Sequence, residues 1–321
     1  MIEILTMGEI IVEIMRKKAD SPLYCADEFL GPFPSGAPAI FTDTAARLGH
    51  KTAIVGGVGN DDFGKCLLDR FENDGVSSRY INVSDDDFTG CAFVTYFEDG
   101  ERKFIFHINN TAAINVEMPD ISAEKDIKYF HIMGCSVTAN EHFANMILTL
   151  AMQIKYMGGS ISFDPNIRPE LIKNENIFNK IYEIIDIADV FLPGKEELLQ
   201  LSKKDSEKEA VDWCFEHPNI KIVVVKNGSH GCTVYTRTRV LSSGVYNITP
   251  VDATGAGDSF DAAFICGIIE GKGLESSVKY ASAAAALNTA SFGPMEGEIS
   301  VKNVNDFIKT NDIEVKKICR M

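Results

Sequence analysis

The sequence predicts an α/β protein with a mainly parallel central sheet and helices on both of its faces. Three observations carry that expectation. From residue 127 onward, short apolar runs alternate with segments of helical spacing, the order that builds parallel sheets through helical crossovers. The polar residues with chemistry in them fall just after the apolar runs, where open α/β sheets hold ligands: Asp164-Pro165-Asn166, then Gly194 to Glu197, then Lys226 to Gly231. A turn of small residues, Thr254-Gly255-Ala256-Gly257, opens directly into the apolar segment Phe260 to Ile269. That arrangement leaves backbone N–H groups uncovered at a helix N-terminus.

The 321 residues suffice for one large α/β domain or two smaller ones. Hydrophobic content of 45% and charged content of 24% are ordinary globular values. A net charge of −15 argues against nucleic acid and against an anionic membrane as partners, since both need a basic face. It leaves room for a nucleotide held by a local anion site. No apolar run is long enough to span a bilayer, and MIEILTMGEI lacks the basic region of a secretory signal, so a cytoplasmic location is expected. The eight cysteines are scattered, with no C-x-x-C, and read as thiols in a reducing compartment. The six histidines show no metal spacing.

Along the chain, Ile2 to Met7 reads as a first buried strand, and Ile10 to Met15 continues with alternation. Residues 21–38, rich in Pro, Gly and aromatics, read as loop. Ala39 to Leu48 has helical spacing and stops at Gly49. Thr52 to Val55 reads as a strand, 56–59 as a glycine-rich loop, and Phe63 to Asn73 as a helix. The alternating runs 89–97 and 102–108, joined by Glu98-Asp99-Gly100-Glu101, predict a hairpin with two unlike faces. Strands are expected at Lys128–Met133, Ser160–Phe163, Asp189–Leu192, Ile220–Lys226 and Cys232–Thr236. Helices are expected at Asn140–Met157, Asn176–Ile187, Lys195–Leu201 and over 274–292, with an amphipathic helix over 301–321. There is no internal repeat and no clear interdomain linker.

The chemistry concentrates at Asp252 to Phe260. Unpaired N–H donors and the positive end of the helix dipole point the same way there, which makes an anion site. Asp258 stands at its mouth. A carboxylate beside a bound anion suits a base that takes a proton from a hydroxyl attacking a phosphoryl group. The plain alternative is a capped helix N-terminus decorated with Asp and Ser. A rival phosphate site, Gly59-Asn60-Asp61-Asp62-Phe63-Gly64-Lys65-Cys66, nearly fits G-x-x-x-x-G-K-[ST]. Cys66 stands where a hydroxyl should hold Mg²⁺, and a thiol suits that hard cation poorly. Asp61 and Asp62 would also face the phosphates. Gly56-Gly57-Val58-Gly59 fails as a dinucleotide turn because Asp62 occupies the third glycine position. Both stretches read better as a strand-to-helix connection capped by Asp.

Taken together, the motifs resemble those of the ribokinase (PfkB) family of carbohydrate kinases, in order over nearly the whole chain. They are Gly8-Glu9 with an acid at Glu13; Ser35-Gly36-Ala37-Pro38-Ala39 with Ala45-Ala46-Arg47-Leu48-Gly49; Gly57-x-Gly59-x-Asp61-x-Phe63-Gly64; Asp164-Pro165-Asn166-x-Arg168-Pro169; Lys226-x-Gly228-x-x-Gly231; and Asp252-x-Thr254-Gly255-Ala256-Gly257-Asp258. The resemblance implies one ribokinase-like domain over 1–321, a three-layer αβα body with a mainly parallel sheet, plus a small β lid from about 10–35 and 89–108. It implies Asp258 as the base and the amides of Gly255, Ala256 and Gly257 as the anion hole. Lys226, Gly228, Gly231 and Thr254 would serve the nucleotide, with Asn288 near the adenine. Glu13, Gly36, Asn166 and Arg168 would face the sugar, and Glu197 would handle the metal. ATP and Mg²⁺ follow as cofactors, with a monovalent cation such as K⁺ near Asp252 and Thr254. Read alone, Arg168 serves equally as a loop tether, Asn288 as a packing or capping residue, and Phe97, Phe104 and Phe106 as packing between lid and core.

Three positions depart from the pattern: Ile40 and Gly194 stand where Asn is usual, and Ile108 where relatives that bind acidic sugars carry Arg. The expected activity is ATP-dependent phosphorylation of a terminal hydroxyl of a neutral ketohexose, fructose or tagatose first. A 2-keto-3-deoxygluconate-type kinase is the alternative, and a non-catalytic sugar- or nucleotide-sensing protein the alternative of another class. A homodimer through the lid is compatible with the resemblance.

Overall fold

The computed structural model describes residues 1–98, 102–168 and 177–318. In chain order the first half runs β1 (Ile4–Met7), β2 (Ile11–Arg16), β3 (Phe29–Ser35), α1 (Ala37–Arg47), β4 (Thr52–Gly59), α2 (Asp62–Asp74), β5 (Ile81–Ser84), β6 (Gly90–Tyr96) and β7 (Arg102–His107). Next come β8 (Tyr129–Met133), α3 (Gly134–Ala139), α4 (Glu141–Tyr156), β9 (Ser160–Asp164), α5 (Ile177–Ile187), β10 (Val190–Phe191), α6 (Lys195–Ser202) and α7 (Glu207–Cys214). The chain then continues through β11 (Ile222–Lys226), β12 (Cys232–Thr236), β13 (Val240–Ser243), α8 (Ala256–Ile269), α9 (Leu274–Thr289), α10 (Val301–Thr310) and β14 (Val315–Ile318).

Among the described residues the large sheet has ten strands in the order β14-β13-β12-β11-β10-β9-β8-β1-β4-β5. From β5 to β11 every pairing is parallel, and from β11 to β14 every pairing is antiparallel. Every residue of β1 and β4 is buried. Strands covered on both faces need continuous rather than alternating apolar residues, which is why ILTM and TAIV announce themselves in the sequence. The helices pack in two groups, one around α1, α8 and α9 and the other around α3, α4 and α5. They form the outer layers of an αβα body.

A second, four-stranded sheet has the order β3-β2-β6-β7. Strand β7 alternates between half-buried and exposed positions, so Arg102, Phe104 and Phe106 point inward while Lys103, Ile105 and His107 point to solvent. The expected Asp99-Gly100 turn lies outside the described residues, as do Pro169 and Asn176, the expected first residue of a helix.

Several element expectations need correction. Residues 29–35, expected as loop, form β3. Pro32 and Pro34 read as strand breakers, but β3 is an edge strand, where a missing N–H need not break the ladder. The glycine-rich 56–59 stretch is not a loop but the second half of β4. A Cβ at Gly57 would come within 2.2 Å of the Ala112 carbonyl oxygen, so the glycine serves close backbone approach. The C-terminal helix stops at Thr310, and Val315–Ile318 pairs with β13 as an edge strand. Helices α3 and α7 were not expected. For α7 a signal existed, because Ser206 caps the helix and Ala210, Val211 and Cys214 face inward at helical spacing.

The near-miss stretch at Gly59 to Cys66 is a connection. Asp61 Oδ1 accepts from the Gly64 N–H at 2.8 Å and the Thr89 hydroxyl at 2.7 Å, and its Oδ2 accepts from the Thr89 N–H at 2.9 Å. One carboxylate thus starts α2 and fixes the entry to β6, while Lys65 turns outward to Asp69.

Candidate active site

Two cavities meet at the N-terminus of α8. The first, about 250 Å³, lies between the C-terminal ends of the parallel strands and the inner face of the small sheet. Its lining includes Glu9, Glu13, Gly36, Ile40, Arg102, Phe104, Asp164, Asn166, Arg168, Glu197 and Asp258. The second, about 500 Å³, is walled by Gly228, Gly231, Val245, Tyr246, Ile248, Phe260, Ala285 and Ala286. Arg102, Lys226, Ala253 and Gly257 line both.

The turn between the cavities depends on Gly255, which adopts φ +76°. A side chain there would be strained and its Cβ would come within 2.5 Å of the Pro294 carbonyl oxygen. Gly255 is also the N-cap of α8 and offers no capping side chain. Among the described residues, the N–H groups of Gly255 and Gly257 have no protein acceptor, while that of Ala256 reaches Ala253 at 3.3 Å. Free donors at the positive end of a 14-residue helix make an anion site.

Asp258 sits in the first turn of α8, buried to 6% exposure. Its Oδ1 accepts from Asn166 Nδ2 at 3.2 Å. Burial raises its carboxyl to about 7; the nearby charge of Asp164 adds to this, and Arg168, Lys226 and Arg102 oppose it. Asn166 itself has φ +36°, and its Oδ1 is buried without a partner. Glu13 is likewise pushed up to about 7 by burial. Its Oε1 accepts from the Ser35 hydroxyl at 2.7 Å, and its Oε2 is buried and unpartnered. Gly36 and Arg168 line the same cavity. The Arg168 guanidinium lies 5.7 Å from the Phe104 ring centroid, so the residue enters the cavity rather than only tethering its loop.

Lys226 Nζ donates to Asp164 Oδ2 and Asp261 Oδ2, each at 2.8 Å. Burial disfavours the ammonium, but the two carboxylates outweigh burial and hold it protonated. Burial also opposes ionisation of Asp164, and Lys226 prevails and keeps that carboxyl low. Asp261, with no exposure at all, is raised by burial. Glu197 spends one oxygen on the Ile167 N–H at 2.7 Å and the other on the Gly194 N–H at 2.8 Å, and burial raises its carboxyl. The Thr254 hydroxyl meets Tyr96 Oη at 2.9 Å and Arg102 Nη1 at 3.1 Å, and its N–H donates to Asp252 Oδ1.

One expected site residue lies apart from both cavities. Asn288, expected near an adenine, lines neither cavity. It is 1% exposed, and its Nδ2 donates to the Thr254 carbonyl at 2.8 Å, beneath the turn. The helical phase of α9 instead turns Ser282, Ala285, Ala286 and Thr289 to the second cavity. Sequence reasoning named Glu9 in a motif without a role, and missed Arg102, Tyr96 and Asp261. The signal for Arg102 was present, because strand alternation puts it on the face of Phe104 and Phe106. Asp261 stands one helical turn after Asp258.

Two cavities on either side of one anion site, with the buried carboxylate of Asp258 beside it, suit a phosphotransferase. Residues 3–300 match the pfkB family of carbohydrate kinases, and the chain belongs to that family. It is 32% identical over 273 residues to the fructokinase of Solanum tuberosum, covering 84% of this chain and 82% of that one. A candidate ribokinase II of E. coli superposes with a TM-score of 0.91 at 36% identity, over 97% of this chain and 100% of that one. An engineered double mutant of the Vibrio cholerae fructokinase, solved with fructose, ADP and potassium, superposes with a TM-score of 0.86 at 25% identity, over 96% and 98%.

Proposed function

We propose that this protein transfers the γ-phosphoryl group of ATP to a terminal hydroxyl of a neutral ketohexose, fructose or tagatose first. The observation that carries the reading is the junction of a polar and an apolar cavity at the Gly255–Gly257 amides, with Asp258 on the polar side. The adenosine occupies the apolar cavity, where the missing side chain of Gly228 leaves open space, while a Cβ at Gly231 would meet the Ser243 carbonyl. The γ-phosphoryl group rests on the free amides, which neutralise its charge as it moves. The hydroxyl oxygen attacks phosphorus, the bond to the bridging oxygen of ADP breaks, and the hydroxyl proton passes to Asp258. The small sheet covers the sugar as a lid, within a single domain over 1–321.

Fructokinase-named relatives support the sugar, as do the two buried unpartnered acceptors, Glu13 Oε2 and Asn166 Oδ1, which suit hydroxyl donors. Mg²⁺ is expected with the nucleotide. Among the described residues no cluster of three ligating side chains could hold a metal alone, so the phosphates supply part of the set and the hard carboxylate of Glu197 the protein's share. When bound, that ion neutralises phosphate charge. Asp252 and Thr254 offer hard oxygens for K⁺, shared with Tyr96. No helix among the described residues is long and apolar enough to cross a membrane. A cytoplasmic location and pairing through the lid belong to the proposal.

A second reading has one observation in its favour. Ile108 lines the cavity as an aliphatic wall, yet Arg102 and Arg168 both enter it, and two guanidinium groups suit a sugar acid. An ADP-formation assay over fructose, tagatose, 2-keto-3-deoxygluconate and nucleosides decides. Stimulation by a neutral ketohexose supports the proposal, stimulation by the sugar acid alone supports the second reading, and no stimulation by any sugar overturns both in favour of a sensor.

A further inference from the structure

The phosphoryl group has to cross from one cavity to the other, so the groups that line both face it in flight. Ala253 and Gly257 contribute backbone. Lys226 contributes a charge already committed to Asp164 and Asp261 at 2.8 Å each. Arg102 is different. Among the described residues its guanidinium makes one hydrogen bond, to Thr254 Oγ1 at 3.1 Å, and no ion pair. It lies 5.9 Å from the centroid of the Phe104 ring, whose stacked partner Phe106 is 5.3 Å away. The ring therefore carries Arg102 at the junction and Arg168 in the sugar cavity. Thr254 immediately precedes the glycine turn, so a hydrogen bond to its hydroxyl holds the guanidinium beside the anion site.

We propose that Arg102 is a catalytic residue: its guanidinium N–H groups donate to the non-bridging oxygens of the phosphoryl group as it passes from ADP to the sugar oxygen. The inference rests on the kinase reading above. Arg102 belongs to β7 of the small sheet, whereas Asp258 and the amides belong to the body. Charge neutralisation is thereby made conditional on the small sheet covering the site, so that an uncovered nucleotide meets an incomplete set of donors. A planar fork of donors suits phosphoryl oxygens better than an ammonium does.

The test compares wild type, Arg102→Ala, Arg102→Lys and Arg168→Ala. With the best sugar, Arg102→Ala should lower kcat about 100- to 1,000-fold, the range for losing one donor to transition-state charge. Its KM for sugar should stay within about threefold, and added guanidinium should restore part of the rate; Arg102→Lys should fall between. Arg168→Ala should instead raise the sugar KM. A second measurement needs no sugar: titration of ADP with and without aluminium fluoride, a planar phosphoryl mimic. Wild type should bind ADP more tightly with the fluoride, and Arg102→Ala should lose that gain while binding ADP alone unchanged. An unchanged kcat, a raised sugar KM as the only effect, or equal tightening in wild type and variant would overturn the proposal. Absence of sugar-stimulated ADP formation by wild type sinks the function proposed above, and the aluminium fluoride titration still decides Arg102.

Discussion

The two cavities differ in chemical kind. The first cavity is built from charges, the buried Glu9, Glu13, Asp164 and Asp258 and the half-buried Arg168, on strand ends and the loop after β9, on the small sheet and at the start of α8. The other is built mostly from small, aliphatic and aromatic residues, among them Gly228, Gly231, Val245, Tyr246, Phe260 and Ala285. Apolar walls accept a flat ring by shape and area and ask little of any one residue. Charged groups in a closed space must each find a partner, so each becomes a constraint on the ligand. In the proposed reaction specificity therefore belongs to the first cavity, where Glu13 Oε2 and Asn166 Oδ1 lack partners. In the proposed reaction the junction, with Asp258 and the free amides, is where the phosphoryl group passes.

This division can be broken experimentally, most decisively at the junction. Asp258→Asn should lower kcat about 1,000-fold, as loss of a general base does, with nucleotide affinity within about twofold. A comparable loss of nucleotide affinity, read by titration, would show the cavities to be one unit. Glu13→Gln should raise the sugar KM about 10- to 100-fold, the worth of a hydrogen bond to a charged group, and leave the ATP KM alone. The mirror experiment is Ala285→Phe, which fills the apolar cavity; the ATP KM should rise about tenfold at constant sugar KM. Steady-state kinetics with each substrate varied in turn separates these outcomes.

The pH dependence sharpens the same comparison. Burial holds Asp258 near 7, and the base must be unprotonated to act. kcat/KM should therefore rise with unit slope up to about pH 7 and then level, and a flat profile between pH 5.5 and 8 would remove Asp258 as the base. The smallest expected effect is on stability. The folded carboxyl titrates higher than the unfolded one at 3.8, so between those values unfolding releases a proton and stability falls as pH rises. Above pH 7 that loss is complete. Asp258→Asn should consequently melt about 2–4 °C higher than wild type at pH 8, with the difference shrinking toward pH 4 in a thermal scan.

Much of the body was legible because burial on both faces writes itself as nearly uninterrupted apolar runs, as in ILTM of β1 and IVVV of β11. The turn at Gly255 was legible because small residues before an apolar helix have few other uses. Strand β3 was hidden by Pro32 and Pro34, whose tolerance depends on edge position, a property of the assembled sheet. The C-terminal strand was hidden for the same reason: Val315 to Ile318 is a strand because β13 had an open edge to offer. The place of Asn288 was not legible, because helical phase decides it: one residue's rotation separates the turn beneath Thr254 from the cavity lined by Ala286 and Thr289.

By itself the sequence determined the chemistry: a carboxylate, a glycine turn and a helix start are adjacent in the chain, so their spacing is fixed by local backbone geometry. Which charges remain free was decided by tertiary structure alone. Lys226 and Arg102 are equally cationic in the sequence. Contacts at sequence separations of 62 and 35 residues engage the first with two buried carboxylates, while β7 carries the second across to Thr254, 152 residues away. Electrostatic strength depends on burial and on partners, and both are properties of the folded chain rather than of any segment.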